Sequence, residues 1–189
     1  MNDQNSRTLA WLLEVDPCQP GVRYHALRDL LGKREDDPEV RQARRAVMAA
    51  GWVPRILKAQ DPEGWWFKPG PGYSPKYEGT VWQVMLLGQL GADLSDERVQ
   101  KGCEYLLTHS LAKNGAFSCD GAPHYSIHCL NGNLLHALIA IGYLPDPRVQ
   151  TALDWMARSI TGEGGFQYGS SCVCAPGFAC KVNGDLPCG

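Results

Sequence analysis

The hydrophobic positions of the chain fall into helical stripes of two kinds. From Asp96 the apolar residues are Val99, Cys103, Leu106 and Leu107; from Asp146 they are Val149, Leu153, Met156 and Ala157. Both sets follow the i, i+4, i+7, i+8 spacing that lines one face of an α-helix, with charged residues on the other. The segments Val81 to Leu90 and Leu134 to Ile141 differ, being apolar almost all round. Such helices have to be buried on most sides. Gly91 and Gly142 follow them and predict their C-terminal caps, since the residue past a helix end commonly turns left-handed. Asp146-Pro147 predicts an N-cap and a first helical residue. Nearer the N-terminus the pattern predicts helices over Ser6 to Val15, Gly21 to Gly32, Asp37 to Ala50 and Val53 to Gln60, with breaks at Pro17, Pro20 and Gly51. No alternating run of β-branched residues lies between hairpin turns, so no strand is predicted.

The stripes repeat. Three turns carry glycine before an aromatic residue: Gln60-Asp61-Pro62-Glu63-Gly64-Trp65-Trp66, Asn114-Gly115-Ala116-Phe117 and Gly162-Glu163-Gly164-Gly165-Phe166. Trp66 and Phe117 are 51 residues apart, and Phe117 and Phe166 are 49 apart. Asp96-Glu97-Arg98-Val99 recurs 50 residues later as Asp146-Pro147-Arg148-Val149. A fixed period of this size is the signature of a stacked repeat, in which each unit buries its apolar face only against its neighbours. Wet-faced helices alternating with all-apolar ones predict two layers, an apolar inner ring and an amphipathic outer one. The fold expected is all-α, a single domain over residues 1–189, with N-terminal helices in 1–36 and outer/inner repeats in 37–189.

The turn from Leu57 to Trp66 resembles the Q-to-W motif of squalene and oxidosqualene cyclases, in which a glutamine on an outer helix caps the next helix and a tryptophan packs across the turn. The period and the alternation also look like the α/α-toroid of terpene cyclases and protein prenyltransferase β-subunits. The resemblance covers about Gly21 to Gly189. It implies an α/α barrel with an apolar central cavity and an isoprenoid-type ligand. Trp82, Leu135 and His136 are the candidate cavity-lining residues on inner helices. The cyclases' acidic D-x-D-D motif is absent from these residues. The repeat arithmetic also puts the start of another inner helix at Pro187-Cys188-Gly189, so further C-terminal repeats are expected.

Of the eight cysteines, six lie between Cys119 and Cys188. Cys119, Cys129, Cys172, Cys174, Cys180 and Cys188, with His124 and His128, all fall on connections from an outer helix to the next inner one. A two-layer repeat gathers such connections on one rim. Thiolate and imidazole suit tetrahedral zinc, which makes Cys119, His128, Cys129, Cys172, Cys174, Cys180 and Cys188 the candidate metal ligands. The segment Tyr125 to Gly132 looks similar to the histidine-bearing segment of the prenyltransferases, which hold a zinc at inner-helix starts. Two other outcomes stay open for these residues, a purely structural zinc staple and ordinary thiols. Cys103 belongs to an apolar stripe and reads as core; Cys18 reads as incidental. His25 and His109 read as surface or capping residues, and Glu78 as a charge on a helix N-terminus.

Composition narrows the function classes. A net charge of -2 and a pI near 6.2 exclude a basic nucleic-acid binder. The N-terminus lacks the basic and apolar regions of a signal peptide, and the longest apolar run is too short to span a bilayer. A cytoplasmic location is therefore expected, where thiols stay reduced and serve metals or catalysis. The resulting expectation is a terpene cyclase- or prenyltransferase-like protein that binds an isoprenoid or other apolar chain. Its rival is a non-catalytic helical repeat module with a zinc-thiolate rim that binds a protein partner.

Overall fold

The computed structural model describes residues 3–161, together with 173–175 and 179–181. Eight α-helices make up the described chain: α1 (Asp3–Leu12), α2 (Pro20–His25, prolonged by a π-turn over Ala26–Leu30), α3 (Pro38–Ala49), α4 (Trp52–Lys58), α5 (Thr80–Leu90), α6 (Glu97–His109), α7 (His128–Ile141) and α8 (Pro147–Thr161). Asp146 and the two closing glycines cap as predicted, and Asp37 and Asp96 prove to be N-caps as well. The carboxylates of Asp37 and Asp96 accept from the backbone N–H groups of Glu39 and Arg98, and Asp146 accepts from that of Arg148 at 2.8 Å. Gly91 closes α5 at φ 87° and Gly142 closes α7 at φ 126°. Gly51, at φ 73°, breaks α3 from α4.

The expectation of no strand needs correcting. Val173–Ala175 and Ala179–Lys181 pair antiparallel, with Cys174 opposite Cys180, and isolated bridges join Leu111 to Phe117 and Ser118 to Ser126. Pairings this short carry no hydrophobic alternation along the chain, so period counting cannot find them.

Packing separates the two helix types. α5 and α7 lie against each other, α6 covers α5 and α8 covers α7; α3 packs on α2 and α4, and α4 on α5. The wet-faced helices give their stripes to this core: Val99, Cys103, Leu106 and Val149 are all fully buried. The α5–α7 contact is tight at Gly88, where an added Cβ would stand 2.6 Å from the Cα of Ala137. Backbone cannot yield there as a side-chain tip would. Gly88→Ala is therefore expected to destabilise by about 1–3 kcal/mol, although alanine is the better helix former. Chemical denaturation of the two proteins checks this.

The two described aromatic turns share their hydrogen bonds. The backbone N–H of Trp66 donates to Thr80 Oγ1 at 3.1 Å, and that of Phe117 donates to Asn131 Oδ1 at 2.7 Å. Gly64 faces Lys101 and Gly115 faces Thr151, each so closely that a Cβ would clash. The indole of Trp66 lies on bare backbone at Gly102, and Gln60 Nε2 donates to the carbonyls of Gly64 (3.2 Å) and of Arg98 in α6 (2.9 Å).

Candidate functional site

The loops before α5 and α7 bring a group of aromatic and sulfur side chains to the N-terminal ends of those helices. Trp82, in the first turn of α5, donates from Nε1 to the carbonyl of Tyr73 at 2.7 Å. Its ring meets Tyr73 at 5.4 Å and Tyr77 at 5.0 Å between centroids, and Lys76 Nζ stands 6.0 Å from the ring centroid. Cys119 and Cys129 lie beside Tyr73. Burial raises the Tyr73 hydroxyl above its ordinary pKa, and the two neighbouring thiols add to the effect. Burial likewise pushes the Cys119 thiol up to about 11, with Asp120 and Cys129 contributing. Cys119 is thus a protonated thiol at neutral pH, whereas Cys129 is solvent-exposed at the start of α7.

The candidate zinc ligands do not all come together. Cys119 and Cys129 come together. His128 turns inward instead: it is 7% exposed, its Nε2 meets Ser159 Oγ at 2.8 Å, and its ring lies 5.0 Å from that of Trp155. Among the described residues no group of three or more His, Cys, Asp or Glu side chains is placed to hold a metal ion. The described residues therefore supply a thiol pair, short of the four ligands of a closed zinc site. Cys174 and Cys180 are described only as register partners in the short hairpin, and Cys172 and Cys188 lie outside the described residues.

His128 has a consequence for pH. Burial lowers its pKa below the ordinary histidine value, so the unfolded chain takes up the proton first. The stability from keeping this ring neutral is present above the ordinary value, about 6.5, and is lost as pH falls below it. His128→Gln is expected to flatten the decline in melting temperature over that acid window, relative to the unmodified protein. A decline of equal slope in both would exclude His128 as its source.

The candidate cavity residues also divide. Leu135 is 4% exposed and belongs to the core between helices, so it lines no open cavity. The apolar residues on the partly open side of α5 are Trp82 and Leu86, and on α7 the open side carries Gly132, His136 and Ile139. His136 borders a polar pocket of about 320 Å³ with His25, Arg28, Asp29, Glu35 and Gln89. An apolar cavity of about 450 Å³ opens beside it, among α1, α2, α3, α4 and the end of α5. Sequence reading did not find it, because its walls come from segments that look individually like ordinary amphipathic helices. His109 is a capping residue as expected: Nδ1 meets the Tyr105 carbonyl at 2.9 Å.

Nor did the sequence single out Arg44. From α3 its guanidinium donates to the carbonyls of Gly91 (3.3 Å) and Ala92 (3.2 Å) behind α5, and of Ala140 (3.0 Å) in the last turn of α7. Glu35 and Asp93 pair with it, and Tyr24 offers its ring face at 5.5 Å. One side chain thus caps two helix ends.

No protein-family model, no curated protein and no solved structure matches the chain. No described helix is long and apolar enough to cross a membrane.

Proposed function

We propose that the protein is a two-layer helical repeat of the α/α-toroid type, with α5 and α7 as inner helices and α4, α6 and α8 as outer ones, and that it holds an isoprenoid-type apolar chain against the open face of α5 and α7. The observation that carries this reading is the pair Trp82 and Leu86, one turn apart on α5 and left partly open to water on a helix whose other apolar side chains pack into the core. An apolar face of this kind gains from covering by hydrocarbon. Tyr73 and Tyr77 flank Trp82 and extend the aromatic surface at the end where a polar head would sit. The Gln60 and Trp66 contacts with α6 support the cyclase-like turn.

The test is binding of a farnesyl-type diphosphate, a squalene-type hydrocarbon and a chain-matched fatty acid to the full chain. Isoprenoids are expected to bind more tightly than the fatty acid, and Trp82→Ala to weaken them about tenfold, the effect of losing one aromatic contact. Equal or absent binding of all three would favour the rival reading, a non-catalytic module whose rim thiols hold a structural zinc. The register that sets Cys174 opposite Cys180 is what favours that rival, and elemental analysis of protein purified without chelator distinguishes it.

A further inference from the structure

The apolar cavity among α1, α2, α3, α4 and the C-terminal end of α5 does not include Trp82 or Leu86 in its lining. Leu12, Val22, Ala26, Val47, Val53 and Leu90 line it, and the half-exposed Trp52 stands on its lip. At about 450 Å³ it falls in the size range of small-molecule sites. Its polar lining is Gln19, His25, Asp29 and Gln89, and the last three also border the neighbouring polar pocket. An occupant would therefore have an apolar body in one compartment and a polar head at this shared wall.

The chemistry of the wall selects the head. His25 Nε2 stands 2.8 Å from the Gln89 carbonyl oxygen. A carbonyl only accepts, so Nε2 carries the proton, and in the neutral ring Nδ1 is an acceptor. Yet Nδ1 faces another acceptor, Asp29 Oδ2, at 3.4 Å. With the ring neutral, a donor that bridges the two from the side satisfies both. The formal charges point the same way. Arg28 is committed to Glu35 and to the Lys33 carbonyl, and the basic side chain beside Asp29 is His25. The C-terminal end of α5, with its partial negative charge, adds to the field. A carboxylate or phosphate head would meet repulsion here; an ammonium group would donate to Nδ1 and Oδ2 together.

We propose that this cavity binds a small aliphatic primary amine, its chain among the apolar side chains and its ammonium group between His25 and Asp29.

Titration calorimetry of the full chain at pH 8 and low salt, with decylamine, decanol and decanoate as probes, tests the proposal. Decylamine is expected to bind at least about tenfold more tightly than decanol, the size of one charge-assisted hydrogen bond, and decanoate most weakly. Asp29 is largely exposed on its helix, so Asp29→Asn should fold normally and bring the amine down to the affinity of the alcohol. Ala26→Phe, which fills the cavity, should abolish binding of both. Trp82→Ala should leave decylamine binding intact, which separates this site from the isoprenoid reading. Absent decylamine binding, equal affinities for the three probes, a preference unchanged in Asp29→Asn, or loss of amine binding in Trp82→Ala would each overturn it.

Discussion

Replacing Trp66 by alanine is expected to cost about 3–5 kcal/mol of stability, the range for removing a buried aromatic side chain. Trp66 is 3% exposed although it sits in a turn. Its Nε1 donates to the Ile56 carbonyl at 2.8 Å, at the end of α4, and its ring edge lies where a Cβ on Gly102 of α6 would come within 2.8 Å. The indole thus joins two helices that have no other long shared surface, and its loss leaves a void that neither backbone can fill by itself. Equilibrium urea unfolding gives the number. A second substitution identifies the mechanism. Gly102→Ala forces a methyl against the indole in the unmodified protein but meets a void in Trp66→Ala. The two substitutions should therefore couple, with the double mutant less destabilised than the sum of the singles. Strict additivity would mean that the indole and Gly102 do not share the contact described.

Arg44→Ala is the second large effect, expected at about 2–4 kcal/mol. The Arg44 side chain is 17% exposed, and its removal leaves the carbonyls of Gly91, Ala92 and Ala140 without this donor, and Glu35 and Asp93 without their shared cation. Arg44→Lys should recover less than half of the loss, because an ammonium point charge cannot present a planar fork to acceptors on two helix ends. Hydrogen exchange distinguishes this from general loosening: protection should fall first at the C-terminal turns of α5 and α7. Loss of protection spread evenly over α6 and α8 as well would count against a capping role.

The sequence by itself determined the helices. Their stripes, their aspartate N-caps and their closing glycines are local chemistry, readable because hydrogen bonds within a helix and the apolar period depend only on near neighbours along the chain. It also placed Cys103 in the core and marked Gln60, Trp66 and Phe117 as turn residues. What it could not read were the contacts between distant residues. His128 and Cys129 are adjacent in the chain, yet one ring points inward to Ser159 and the other side chain faces solvent. That division follows from where α8 lies, not from the pair's spacing. Leu135 looked like a cavity residue because α7 is apolar on all sides, and an all-apolar helix carries no mark of which side stays open. Arg44 looked like one charge on a wet face, and its partners stand 47, 48 and 96 residues away. The apolar cavity beside His25 is likewise a space between elements. Its walls are coded in four segments, and its existence depends on how closely those segments pack, which only the tertiary structure decides.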